Sequence, residues 1–462
     1  MDVLERGTHV DRFIIKELLY SAGGAYLYEV ETKEINTPLI MKIPKLGPSQ
    51  PVFGLVSFEM ECSILPVLKG SHVPRFIAAN PLAIQPYVVM EKVIGEPLIN
   101  WVKPLGLSLE KLQLLGIAIA NAAHSLHRQD TIHLDIKPDN LIIKENNEVV
   151  FIDFGFAHHS LLPDLFADNP RQAIGSTPYI APEQIEHIRL DPRSDQFAIG
   201  VTLYQLATGE LPFGIPVTLK ELRQRHWLRP TPIRHLRPDL PEWLQEIIFT
   251  CLEPLAEKRF ASTALLARAF ADPESIMITE RGRRSRPDSM WARLIKGFRP
   301  AIEVSPVPQY SPSEQVSNVP LIAVLIDLED HHPERIKALR YAVLRAMERH
   351  PDSHLSALNI IEVPLEGAQE SGAAERHHKH RILLEHWLRQ LHIPKERCSA
   401  HVIETTDIAQ KTIDFAKNNY VDVIIVLANQ ESSGSFLRVN RSTVTRLVEE
   451  APCSVHVVRP GN

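Results

Sequence analysis

From Phe13 to Met90 short apolar runs alternate with turn residues, as at Ala25 to Val30, Leu39 to Ile43 and Tyr87 to Met90. Runs of that length between turn residues predict strands, and one stretch among them, Phe58 to Leu68, carries helical spacing instead. Past Leu98 the period lengthens. Between Leu109 and His127 apolar residues recur at three and four, which predicts an amphipathic helix. The pattern therefore describes a small sheet-rich lobe followed by a larger helical lobe.

A different pattern fills the end of the chain. Apolar runs of buried-strand type occur at Leu321 to Asp327 and Asp422 to Leu427, with further strands predicted at His354 to Val363, Cys398 to Glu404 and Val455 to Val458. Helical stretches lie between them at Pro333 to Arg349, Glu375 to Leu391 and Asp407 to Asn419. Strand and helix in alternation imply a parallel sheet covered on both faces, a doubly wound α/β unit. The two regions are separated by Asp272 to Pro320, rich first in arginine and lysine and then in proline, a composition that predicts a semi-stiff solvated linker. Within it Met290 to Phe298 is basic and amphipathic; membrane-surface contact and a helix packed on one domain are both open, and the second is favoured.

Composition narrows the class. At 462 residues, 44% hydrophobic and 23% charged, the chain is globular and too long for one ordinary core. A net charge of -6 argues against a general nucleic-acid binder, whose phosphate contacts need a basic surface. Four cysteines, Cys62, Cys251, Cys398 and Cys453, show no disulfide or metal spacing and read as reduced thiols. No apolar run reaches the ~20 residues of a membrane-spanning helix, and Met1 to Arg12 lacks the apolar core of a signal peptide. The expectation is a soluble cytoplasmic protein.

Chemistry concentrates in three motifs: His133-Leu134-Asp135-Ile136-Lys137-Pro138-Asp139-Asn140, then Asp153-Phe154-Gly155, then Ala181-Pro182-Glu183. Phosphoryl transfer needs a carboxylate to orient the attacking hydroxyl, a cation on the moving phosphate, and an amide oxygen and second carboxylate to hold a divalent metal. Asp135, Lys137, Asn140 and Asp153 supply those groups. In this order and spacing the motifs resemble the catalytic core of eukaryotic-like serine/threonine protein kinases. The resemblance implies a kinase fold over residues 10–271 (β-rich N-lobe, helical C-lobe), a linker over 272–318, ATP with Mg2+ or Mn2+ as cofactors, and protein substrates. Lys137, two places after Asp135, is the serine/threonine arrangement.

The same resemblance assigns further residues. Lys42, alone in an apolar strand, matches the phosphate-binding lysine. Its partner is Glu61 or Glu59; Glu61 is favoured because Leu65 and Leu68 then follow one and two turns on. In the glycine-rich loop Tyr20, Ala22 and Ala25 occupy the family's glycine places, while Gly23 and Gly24 keep some flexibility. Met90, Glu91 and Val93 fall at the hinge against the adenine pocket, Met90 as gatekeeper, as ordinary core, or as both.

Leu134 replaces an arginine that in the family pairs with a phosphorylated activation segment, so such phosphorylation is expected to be dispensable. Ser176 falls where the family has a threonine bonded to the catalytic aspartate and lysine. Glu183 with Arg259 matches a buried ion pair, and Asp195 an aspartate that braces the catalytic loop.

Residues 319–460 resemble the universal stress protein family, with Asp327 after the first strand and Ala451 to Val458 closing the unit. Its nucleotide-binding members carry glycines where this chain has Ala428, Glu431 and Arg441, with only Ser442 retained, so weak ATP binding and a role in dimerisation or sensing are expected. A homodimer through this domain follows as a possible partner arrangement. Arg438 and Arg441 read as solvated. The cluster Arg376-His377-His378-Lys379-His380, with His386, reads as a solvated helix start rather than a metal site, because cations alternate with its histidines. Two functions stand: a stress- or signal-responsive serine/threonine kinase, and a pseudokinase scaffold carrying a dimerising or sensing domain. Retention of every polar catalytic position favours the first, since unpaired charges in a cleft cost stability.

Overall fold

The computed structural model describes residues 3–22, 24–46, 52–81, 83, 85–166, 174–288, 321–328, 332–351, 353–363, 373–394, 397–419, 421–428 and 441–459. Met290 to Phe298 and the proline-rich stretch lie outside these residues.

The N-terminal lobe is one antiparallel sheet in the order β1-β2-β3-β4-β6-β5, made of His9–Val10, Phe13–Ala22, Ala25–Thr32, Ile35–Pro44, Phe76–Asn80 (β5) and Tyr87–Glu91 (β6). Alternation decides what each face does. On β4, Leu39, Met41 and Ile43 are fully buried and pack with Phe13, Ile15 and Tyr28, so the two-residue period turns Lys42 to the opposite face. That face is covered by helix α1, Val52–Ile64. The helix starts and stops earlier than its spacing predicts: Pro66 cannot continue an α-helical ladder, and Leu65–Val67 tightens into a 3-10 turn.

The helical lobe is built on α2 (Leu109–His127) and α3 (Arg193–Thr208). Ser108 caps α2 by accepting from the Lys111 amide, and Leu112, Leu115, Ile119 and Leu126 are buried along one stripe. A Cβ at Gly116 would sit 2.8 Å from the Phe270 ring, so this glycine is what lets α5 (Thr263–Ala271) lie close on α2. Helix α4 (Glu242–Cys251) packs on α3. The first part of the expected linker is in fact seated on this lobe. Short helix α6 (Glu280–Arg283) directs Arg281 onto Glu246 at 2.9 Å and Glu253 at 2.6 Å, while Gln245 donates to the carbonyls of Arg281, Gly282 and Arg284. Arginine density read as solvation is here ion pairing.

The C-terminal region is a five-stranded, all-parallel sheet: β7 (Leu321–Leu325), β8 (His354–Glu362), β9 (Cys398–Thr405), β10 (Val423–Leu427) and β11 (Ser454–Val458), in the order β9-β8-β7-β10-β11. Helices α7 (Pro333–Arg349) and α8 (Ala373–Arg389) bury Leu339, Val343, Leu384 and Trp387 on one face. Helices α9 (Ile408–Asn418) and α10 (Arg441–Glu450) bury Ile413, Phe415 and Leu447 on the other. The doubly wound expectation holds, with α10 the element the periodicity did not reveal.

Candidate active site

The loop His133–Asn140 emerges from the short strand Thr131–Ile132 and is held from beneath by α3. Asp195, fully buried, accepts the backbone amides of His133 at 3.0 Å and Leu134 at 2.9 Å and pairs with His127 Nε2 at 2.8 Å. Burial alone raises its carboxyl; the His127 hydrogen bond and the backbone amides outweigh it and hold the pKa below the ordinary value. Those bonds also fix Leu134 at φ 61°, a left-handed conformation costing a side-chain-bearing residue about 1–3 kcal/mol. The loop is thus braced by a buried carboxylate just before it reaches Asp135.

Asp135 is the hub of the loop. Its Oδ2 accepts from Lys137 Nζ at 3.0 Å and from Asn140 Nδ2 at 2.9 Å, and its Oδ1 accepts the Ser176 backbone amide at 2.7 Å. Lys137 Nζ also donates to Ser176 Oγ at 2.6 Å. Asn140 Nδ2 additionally reaches the Asp135 carbonyl at 2.9 Å, which commits its amide nitrogen and leaves the amide oxygen as an acceptor. Ser176 thus meets Lys137 through its hydroxyl and Asp135 through its backbone amide.

Across the cleft, Lys42 Nζ bridges Glu61 Oε2 at 2.6 Å and Asp153 Oδ1 at 2.8 Å. Burial works against the ammonium, but the two carboxylates dominate and hold its pKa above the ordinary lysine value. Asp153 is pushed up by burial and down more strongly by Lys42, to about 2, so it is a firm carboxylate. It adopts φ 65°, and the next amide, of Phe154, donates to Glu61 Oε1 at 3.4 Å. Why Glu61 and not Glu59 meets Lys42 follows from helix geometry: two residues span about 200° of rotation, so the two carboxylates leave α1 on nearly opposite sides.

At the expected nucleotide end, Gly23 lies outside the described residues. Gly24 sits at the hairpin tip, its carbonyl accepting from the Lys45 amide at 2.6 Å, and Tyr20 is exposed. Met90 is buried in the main core and pairs with Ile40 across the sheet, so it packs as core wherever a base sits. The Glu91 side chain is taken by Arg75 at 3.0 Å and its backbone amide donates to the Arg75 carbonyl at 2.9 Å, while Val93 is half-buried beyond it.

The segment after Asp153 is tied down by charge. Arg259 and Glu183 form a bidentate buried pair at 2.6 and 2.8 Å. Arg225, buried, donates to the Thr177 and Ile180 carbonyls. Arg189 donates to Asp164 at 2.6 Å, beside His158, and Asp164 is buried. Sequence reading missed Arg225, Asp164 and Arg189; isolated polar residues in a loop give no periodic signal.

It also misread the histidine cluster. His377 and His378 are buried, and His377 Nε2 lies 3.3 Å from Glu59 Oε1 while Arg381 Nη1 lies 2.5 Å from Glu59 Oε2. The cluster is an interface between α8 and α1, not a solvated helix start. Glu431 and Arg438 lie outside the described residues.

The family model described as "Protein kinase domain" matches residues 24–271, and that of the "Universal stress protein family" matches 322–459. A probable serine/threonine-protein kinase of Clostridium acetobutylicum is 26% identical over 255 residues, covering 54% of this chain and 38% of its own length. Serine/threonine-protein kinase PknB of Mycobacterium tuberculosis is 32% identical over 261 residues, covering 55% and 41%. The chain thus spans well under half the length of these relatives. Among solved structures, the kinase domain of Mycobacterium tuberculosis PknI is similar at 18% identity and TM-score 0.46, over 59% of this chain and all of that one.

Proposed function

We propose, from the premise that this chain belongs to the protein kinase family, that it transfers the ATP γ-phosphoryl group to serine or threonine hydroxyls of proteins. One observation carries the reading: Lys42, Glu61 and Asp153 meet on one side of the cleft while Asp135, Lys137, Asn140 and Ser176 meet on the other. Asp135 is the group to orient the attacking hydroxyl, and Lys137, already against it, the cation for the transferred phosphoryl. Lys42, locked by Glu61, positions the inner phosphates. Met90, Glu91 and Val93 border the base, and Gly23 and Gly24 the phosphate tail.

The family uses ATP and a divalent metal. The donors here fit a hard cation. Asp153 stays ionised with one oxygen on Lys42 and the other uncommitted to it, and Asn140 has its amide oxygen spare. Asp153 and Asn140 would hold Mg2+ or Mn2+, which when bound neutralises charge developing on the phosphates. No helix among the described residues is long and apolar enough to cross a membrane, which fits action in the cytoplasm. Among the described residues strand β11 has one neighbour, β10, and its outer edge is the surface through which a homodimer of the C-terminal domain would form.

The proposed division is 10–271 for catalysis, 272–318 as connection with its first part, through Arg284, docked on the catalytic lobe, and 319–460 for sensing or dimerisation. Radiolabel transfer to a protein substrate, compared between the intact chain and Asp135→Asn, tests the reading; equal incorporation by both would overturn it in favour of a scaffold.

A further inference from the structure

Helix α1 is gripped from two sides. On the catalytic side Glu61 holds Lys42, and a Cβ at Gly155 would fall 2.1 Å from Ser57 Oγ, so the segment after Asp153 is seated directly on the helix. On the far side Glu59, 3% exposed in its side chain, faces Arg381 and His377, which are 7% and 1% exposed. His378 Nε2 reaches the Ala83 carbonyl at 2.9 Å, extending the contact to the loop before β6. All three cationic or titratable groups belong to α8 of the C-terminal domain.

A second contact joins that domain to the activation segment. Asn419, just past α9, accepts the Asp164 backbone amide through Oδ1 at 2.7 Å and donates through Nδ2 to the Phe415 carbonyl at 3.0 Å. Asp164 in turn holds Arg189, whose guanidinium lies 5.5 Å from the centre of the Phe166 ring. Phe166 closes the circuit, with its ring 5.1 Å from that of Phe53 in α1. The C-terminal domain thus touches both α1 and the segment after Asp153, and the two are joined by an aromatic contact.

A buried carboxylate facing buried cations adds little net stability over an apolar pair, but removing one partner strands the other in a dry site. Such a contact specifies one seating of α1. In that seating Glu61 meets Lys42. Leu134 offers no charge to the activation segment; the ordering charges there are Asp164 and Arg189, which need no added phosphate.

We propose that the C-terminal domain is the activating partner of the catalytic lobes in cis, with Arg381, His377 and Asn419 as positioning residues for Glu61 and the activation segment. This rests on the kinase reading above. Docked, the domain holds Glu61 on Lys42; undocked, α1 loses one of its two grips and the lysine loses its anchor.

The test uses the intact chain carrying Arg381→Glu, which sets a carboxylate against Glu59, and separately Asn419→Ala. Amide hydrogen exchange is followed over α1 and over β8 while kcat and KM are measured with ATP and a serine-containing peptide. Exchange in α1 is expected to rise while β8 stays protected. The Arg381→Glu kcat should fall at least about tenfold with peptide KM unchanged, the mark of an interaction made in the transition state. Arg381→Lys, which keeps the charge, restores most of the turnover. Asn419→Ala moves the same way by a smaller factor, and it decides the matter if lost β8 protection shows that Arg381→Glu misfolds. Wild-type turnover in the folded variants, or unchanged exchange in α1, overturns the proposal. Absence of transfer by the unaltered chain would fail the kinase reading instead, so the two failures are distinct.

Discussion

Replacing Arg259 with methionine removes the cation from one of the most enclosed ion pairs in the molecule. Its side chain is 0% exposed and that of Glu183 is 3% exposed. Besides its two bonds to Glu183, Arg259 donates to the carbonyls of Glu253, Arg193 and Pro254. After the substitution Glu183 keeps only the Ser194 hydroxyl at 2.7 Å among these partners. Stranding a buried carboxylate costs about 3–5 kcal/mol. For a catalytic region of this size that corresponds to a melting shift of about 6–20 °C.

The double variant Glu183→Leu/Arg259→Met discards both charges and is expected to recover most of the loss, because a buried pair replaced by apolar groups is close to neutral. Thermal unfolding of the wild type, both single variants and the double variant gives the coupling directly. A drop below about 1 kcal/mol for Arg259→Met, the range of an exposed pair, would refute the claim that this charge is structurally committed.

Lys42→Ala, which also leaves Glu61 unpaired, is expected to lower kcat/KM for phosphate transfer by about 10²–10³-fold, as loss of a preorganised charge does; a loss below tenfold in a steady-state assay would contradict its placement. The triple variant Ser160→Ala/Thr177→Ala/Tyr179→Phe should retain transfer. Its structural cost is the Tyr179 to Gln205 hydrogen bond, about 1 kcal/mol, and loss of transfer in a folded triple variant would show that activation-segment phosphorylation is required. Glu59, raised by burial but lowered more by Arg381, His377 and His401, has its pKa held at about 2 against an ordinary 4.5. A depressed carboxyl pKa gives stability that is complete above 4.5 and disappears as pH falls toward 2, about 3 kcal/mol in all. The stability difference between wild type and Glu59→Gln in urea titrations should therefore narrow across that window; a difference independent of pH would contradict the buried pair.

Much of the architecture is written in periodicity. The strand of Lys42 and the strands of the C-terminal sheet alternate or run apolar as their burial requires, and the Leu109–His127 helix matches its stripe to the residue. The proposed reacting groups were legible for a different reason: Asp135, Lys137, Asn140 and Asp153 stand at the short spacing that phosphoryl transfer asks for. What sequence could not show was long-range partnership.

Glu59 and Glu61 are equivalent as letters. Only the helix rotation and the presence of α8, more than three hundred residues on, separate them. His377 and Arg381 share one helical stripe with Leu384 and Leu388, so polar residues at core spacing were the available signal. Composition read the same residues as solvated. Arginines 281 and 284 went the same way, because charge density predicts solvation unless acidic partners such as Glu246 are known to face it.

The central claim is that one cleft joins Asp135 and Lys137 to Lys42, Asp153 and Asn140 for phosphoryl transfer. Its most direct measurement is incorporation of γ-phosphate from labelled ATP, with Mg2+ or Mn2+ present, into a serine- or threonine-containing protein by the purified full chain and by Asp135→Asn. Label on serine or threonine from the wild type, and a fall of about 10²-fold or more in the variant, is the predicted result. No label from the folded wild-type chain with either metal, or equal label from both proteins, contradicts it.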